Sequence, residues 1–184
     1  MSEEREPVAP NVVASRQVYH NKVVSVRVDT IELADGTRVE REIVEHEPVA
    51  AIVPVDADAN VVLVRQYRRA AQAVLLEVPA GGIDPGESPE GAAQRELREE
   101  TGLQAQRLTL LGEFYVSPGF LTEYMHVFLA EGLAEAHAEA DDDEDIVVVR
   151  MPLVEAVRMA ERGEFRDAKS IAAILLAARR LGAA

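Results

Sequence analysis

Apolar and polar positions run through the first half of the chain in short blocks separated by turn residues. Val23–Ile31 is rich in β-branched residues and predicts a strand. Asp35-Gly36 is a hairpin signal, and Arg38–Glu45 follows as its partner strand. Val49–Val55 is nearly all apolar, as suits a strand buried on both faces. Asp56–Asn60 is a turn, Val61–Tyr67 returns, and Leu75–Pro79 is a short strand leading into Gly81-Gly82. The period then changes. Ser88 is a good N-cap, Pro89 suits the first helical position and Gly102 is a natural stop, which predicts a helix over Pro89–Thr101. Strands near Leu108–Tyr115 and Tyr124–Ala130 follow, then an acidic loop at Glu139–Asp145, a strand at Ile146–Met151, and helices at Leu153–Glu161 and Lys169–Leu181. There is no internal repeat and no long linker. The order is of the α+β class. Residues 1–11 read as a disordered tail, 12–47 as a small β unit and 48–184 as the main domain, with Pro48 at the joint.

Composition narrows the chemistry. Aromatics are 4 % and tryptophan is absent, so the core must be built from Val, Leu, Ile and Ala. The net charge of −14 repels phosphate backbones and argues against a nucleic-acid partner. A phosphate-bearing substrate would need divalent metal beside so many carboxylates. The absence of cysteine excludes disulfides, thiol catalysis and cysteine-ligated metal. The strongest apolar stretch, Ile171–Ala178, is too short to cross a bilayer, and the first eleven residues lack an apolar signal core. A cytoplasmic protein with no membrane partner is expected. None of the four histidines has zinc-ligand spacing, and all read as structural or surface.

The stretch GGIDPGESPEGAAQRELREETGL, Gly81–Leu103, concentrates five glutamates and Asp84 beside glycines. Glu96, Glu99 and Glu100 fall within an arc of roughly 100° on the predicted helix. Ala93, Leu97 and Thr101 occupy the inward face, and Arg95 stands four residues before Glu99, close enough to pair. Like charges so spaced repel. Helix composition alone leaves two readings: a solvated charged face, or a hard-cation site of the kind that takes Mg²⁺ or Mn²⁺.

The full spacing decides between them. Gly81, Glu87, Arg95-Glu96-Leu97, Glu99-Glu100 and Gly102-Leu103 fill the intervals of the signature box of the Nudix hydrolases, and the chain is identified as a member of that family. The resemblance implies an α/β/α sandwich with a mixed β-sheet, an added N-terminal antiparallel β unit, and metal-dependent cleavage of nucleoside diphosphate derivatives. It implies that Glu96 and Glu100 are metal ligands, with Glu99 as a further ligand or supporting catalytic carboxylate and the Ala80 carbonyl completing the set. Arg95 would orient the glutamates; Gly81, Glu87 and Gly102 would be structural. The implied ion is Mg²⁺, with Mn²⁺ as the alternative.

Further segments resemble the ADP-ribose pyrophosphatase subgroup. Pro118, in Ser117-Pro118-Gly119, lies sixteen residues beyond Gly102. An ordinary Pro-Gly turn is the competing reading. Arg41-Glu42-Ile43 resembles the subgroup's adenine-binding strand, which is contributed across a dimer interface; an exposed cross-strand pair is the alternative. Arg65-Gln66-Tyr67-Arg68 resembles the next strand, whose final arginine meets the pyrophosphate, against the reading of Arg68 as a surface charge. Glu77-Val78-Pro79-Ala80-Gly81 resembles the approach to the box. Pro118, Gly119 and Phe120 complete the expected substrate contacts, Phe120 as a stacking surface. The subgroup's late catalytic glutamate falls in the acidic loop Glu139–Asp145, where Glu144, in the run Asp141–Asp145, is the first choice and Glu139 and Asp143 are rivals; a solvated acidic loop is the competing reading. The substrate implied is a nucleotide-sugar of the ADP-ribose kind, against the alternatives of another nucleoside diphosphate derivative (a GDP-sugar, a diadenosine polyphosphate or a nucleoside triphosphate) or a non-catalytic nucleotide-sensing module, and the assembly implied is a homodimer exchanging the N-terminal unit.

Overall fold

The computed structural model describes residues 8–136 and 145–183. The described chain divides into two compact units, one of residues up to Glu47 together with Ser117–Glu123, the other of Pro48–Val116 and Tyr124 onward.

The first unit is an antiparallel meander of β1 (Asn11–His20), β2 (Val24–Glu32) and β3 (Arg38–His46). Strand β1 begins at the last residue assigned to the tail. Gly36, at φ +83°, takes the left-handed step of the β2–β3 turn, and Asp35 accepts from the Thr37 amide at 2.9 Å. No apolar side chain in β1–β3 is fully buried. The inside of this unit is polar: Asp29 accepts from the Ser15 hydroxyl at 2.7 Å and from Arg27 Nε at 3.1 Å. Ser117–Glu123 runs along the other edge of β3. Val44 N–H donates to the Phe120 carbonyl at 2.7 Å and Thr122 N–H to the Val44 carbonyl at 3.0 Å.

The second unit holds two sheets. One has the order β7-β4-β9-β8, from β4 (Val49–Pro54), β7 (Ala80–Gly82), β8 (Leu103–Tyr115) and β9 (Tyr124–Glu135); β4 and β9 are parallel and the other pairs antiparallel. The other, β10-β5-β6, is antiparallel and joins β5 (Asn60–Arg68), β6 (Ala73–Glu77) and β10 (Val147–Pro152). The helices are α1 (Pro89–Thr101), α2 (Leu153–Glu161) and α3 (Ala168–Leu181).

Side chains alternate across a strand, and here that alternation builds two cores. Ala50 and Ile52 of β4 and Phe128 and Ala130 of β9 pack with Ala92, Ala93 and Leu97 of α1. Val49, Ala51 and Val53, with Met125, Val127 and Leu129, pack in a second core with Leu153, Ala156 and Val157 of α2 and Ala173, Ile174 and Ala177 of α3. The continuous apolar run of β4 is the signature of a strand covered on both faces, with helices on either side of the mixed sheet. Burying one such large side chain contributes about 1.5–3 kcal/mol. Helix α1 is bounded as its caps dictate: the Ser88 hydroxyl accepts from Gly91 N–H at 3.0 Å, and Gly102 closes it at φ +68°.

Candidate active site

The glycine loop and the carboxylate helix meet because β7 pairs with β4 and α1 packs over the same sheet. The Glu96 carboxyl lies where a side chain on Gly81 would begin: a Cβ there would sit 2.1 Å from Glu96 Cδ. Any other residue at that position would push the carboxylate aside. Glu100 Oε2 accepts from the Ala80 N–H at 3.1 Å, so the second expected ligand reaches the same short strand. Glu99 stands one residue before it, across a guanidinium.

That guanidinium is Arg95, the hub of the loop–helix junction. It grips Glu87 edge-on, Nε to Oε1 at 3.2 Å and Nη2 to Oε2 at 3.0 Å. It donates to Glu96 Oε1, to Glu99 Oε2 at 3.0 Å and to the Gly82 carbonyl at 2.7 Å. Glu87 in turn accepts from the Asp84 N–H at 3.1 Å and so ties the loop to itself. The hydrogen bond from Arg95 holds the Glu87 carboxyl below the usual carboxylate range, against the opposing effect of desolvation. Hydrogen bonds donated to Glu87, then to Glu96 and Glu99, raise the Arg95 pKa, and its burial works the other way. Arg95 therefore offsets part of the repulsion among the glutamates. Among the described residues no three acidic or histidine side chains are gathered into a ready metal shell. The carboxylate oxygens, crowded against a glycine that leaves them room, nevertheless suit a hard divalent cation.

Arg68 ends β5 and is held edge-on by Glu77, Nε to Oε1 at 3.0 Å and Nη2 to Oε2 at 2.8 Å. Lys169 of α3 donates to the same carboxylate. The sequence pointed to Arg68 but assigned no role to Glu77 or Lys169. Their contact spans ninety-two residues, and no local pattern announces it.

The remaining expected residues belong to the first unit. Arg41 and Glu42 are exposed on β3, and Arg41 donates to the Glu40 carbonyl at 2.9 Å. Pro118, Gly119 and Phe120 lie in the segment paired along β3, with the Phe120 ring exposed. Thr122, which sequence reasoning missed, locks that segment: its hydroxyl accepts from the His46 N–H at 3.0 Å and donates to the His46 carbonyl at 3.2 Å. Glu144, Glu139 and Asp143 lie outside the described residues. Tyr115 and Tyr124 pack edge-to-face at 4.8 Å in the second unit, and His126 Nδ1 stands 2.8 Å from Glu113.

The NUDIX domain family matches residues 45–174. The chain belongs to the Nudix hydrolases. Residues 11–44 match the nucleoside diphosphate sugar hydrolase N-terminal domain, which corresponds to the first unit's meander. An ADP-ribose pyrophosphatase of Bacillus subtilis is 40 % identical to this Nudix hydrolase over 88 % of the chain and 89 % of its own length. The methanol dehydrogenase activator of Bacillus methanolicus is 34 % identical over 88 % of the chain and 89 % of its own length. A crystal structure of an ADP compounds hydrolase superposes with a TM-score of 0.87 at 28 % identity, covering 98 % of both chains. Members of the family generally use divalent metals. No described helix is long and apolar enough to cross a membrane.

Proposed function

We propose that this Nudix hydrolase cleaves the diphosphate of ADP-ribose or a related ADP-sugar, with Mg²⁺, to AMP and a sugar phosphate. The observation that carries the reading is the seating of Glu96 against Gly81, with Glu100 bonded to Ala80 N–H on the same short strand. The similarity to an ADP-ribose pyrophosphatase along most of the chain supports the substrate.

Glu96, Glu100 and the Ala80 carbonyl would hold the metal, with Glu99 as a further ligand or catalytic support. The bound ion offsets charge on the phosphates and lowers the pKa of its water. Arg95 keeps the glutamates in one geometry through its bonds to Glu87, Glu96 and Glu99. Arg68 meets the pyrophosphate, Arg41 and Glu42 the adenine, and Pro118, Gly119 and Phe120 also contact the substrate, Phe120 as a stacking surface. Glu144 orients or deprotonates the attacking water. Water supplies a hydroxyl to one phosphorus, and the bridging P–O bond breaks.

The protein acts in the cytoplasm as a homodimer whose residues 12–47 cross to the partner, with 48–184 as the catalytic domain. Strand β1 is exposed along its whole length, which supports a role in covering or being covered by a second copy. Light scattering checks this, with a monomer as the contrary result.

The activity test is a substrate panel with Mg²⁺ or Mn²⁺. AMP release from ADP-ribose is expected to outpace cleavage of a GDP-sugar, a diadenosine polyphosphate or a nucleoside triphosphate. Cleavage of one of those without any AMP from ADP-ribose overturns the substrate. Glu100→Gln is expected to abolish turnover while leaving the circular dichroism unchanged.

A further inference from the structure

Glu77 is the most buried charged residue among those described, 1 % exposed at the end of β6. It carries two cations. Arg68 grips it edge-on and Lys169 donates to Oε2. Lys169 is itself held by Asp167 Oδ1 at 3.2 Å, and that oxygen accepts from Ser170 N–H at 3.1 Å as the N-cap of α3. The Ser170 hydroxyl accepts from Val78 N–H at 2.9 Å. One continuous set of bonds thus runs from the first turn of α3 through Lys169 and Glu77 to the guanidinium of Arg68.

Stability does not explain this arrangement. Buried ion pairs recover little more than their desolvation cost, and apolar residues of the same volume commonly do as well. What the arrangement does fix is a plane. A guanidinium carries its donors in a rigid fork, so a carboxylate on the Nε–Nη2 edge determines where Nη1 points. A second cation on Glu77 also matters. Lys169, itself held by Asp167, also fixes the Glu77 carboxylate, so the plane of Arg68 is set from the first turn of α3.

We propose that Glu77 and Lys169 are positioning residues that orient Arg68 for the substrate's pyrophosphate. The proposal rests on the reading of Arg68 given above. A mutant cycle on the full-length protein tests it, with ADP-ribose or whichever nucleotide the panel identifies. Lys169→Met is expected to raise KM about tenfold, the scale of one weakened charge-assisted hydrogen bond, with kcat within about twofold. Lys169→Arg is expected to restore most of the loss. In an Arg68→Ala background Lys169→Met should add nothing more to KM. Lys169→Gln, which keeps a donor but no charge, gives a second reading should Lys169→Met fail to fold. An equal rise in KM in both backgrounds shows that Lys169 acts by another route and overturns the proposal, as does an unchanged KM in Lys169→Met beside an impaired Arg68→Ala. An unchanged KM in Arg68→Ala removes the reading of Arg68 and the proposal with it.

Discussion

Two arginines in the second unit each grip a glutamate edge-on, and they do so in opposite senses. In the Arg95–Glu87 pair both side chains are about equally covered, 25 % and 21 % exposed. In the Arg68–Glu77 pair the carboxylate is 2 % exposed and the arginine 38 %. Arg95 is turned inward, with Glu96, Glu99 and the Gly82 carbonyl on its other donors. Arg68 is turned outward on a buried anchor. The same bond serves two ends: in one pair the arginine organises carboxylates, in the other a carboxylate organises an arginine.

The comparison breaks most sharply at the buried partner. Glu77→Ala leaves Arg68 and Lys169 over an emptied, desolvated position, and is expected to cost about 3–5 kcal/mol in urea unfolding. Glu87→Ala should cost about 1 kcal/mol or less, since its carboxylate keeps contact with water. Equal losses would remove the distinction between the two pairs.

How much of this was legible beforehand depended on how local each feature is. The bounds of α1 follow from Ser88, Pro89 and Gly102, and the helix occupies the span those caps predict. The apolar run at Val49 and the box intervals were equally plain, because one strand or one helix carries each. Strand β1 escaped notice. Its sequence NVVASRQVYH does not alternate, and no core of its own chain covers it, so the pattern that announces a half-buried strand is missing. Strand β8 begins at Leu103, earlier than the reading from Leu108, because its first residues are short or polar. The Pro118 turn looked like a connection within the main domain, whereas its hydrogen bonds tie it to β3. Glu77 stands out in the sequence only as part of the approach to the box and Lys169 only as the start of a helix; their pairing gives no signal, since a buried charge pair has no periodicity and its partners are far apart in sequence.

A subtler contrast separates folding from geometry at Gly81. A Cβ there would meet the Glu96 carboxyl at 2.1 Å, and the obstructing atoms are the end of a side chain. The chain can yield by swinging that carboxylate, so Gly81→Ala should keep its melting temperature within a few degrees. Displacing Glu96 from Arg95 and from its place against Gly81 is expected to lower kcat about 10- to 100-fold, the range seen when a supporting contact of a metal site is lost. Full activity in Gly81→Ala would mean that the seating of Glu96 is incidental.

The smallest effect lies in the acid limb of the stability curve. Burial pushes the Glu77 carboxyl up, but the hydrogen bond from Arg68 and the charge and hydrogen bond of Lys169 outweigh it, and the group stays below the usual range. Glu87 is lowered by Arg95. A carboxylate with a depressed folded pKa stabilises the fold fully above its unfolded value of about 4.3 and loses that contribution as pH falls through the folded value. Urea midpoints should therefore hold steady near neutrality and drop from about pH 4.5 downward. Glu87→Gln cannot titrate, so the drop should become shallower, by less than about 1 kcal/mol because a fifth of that side chain remains in water. A slope between pH 5 and pH 3 identical to that of the parent would mean that Arg95 holds the loop by shape alone, with no electrostatic share from Glu87.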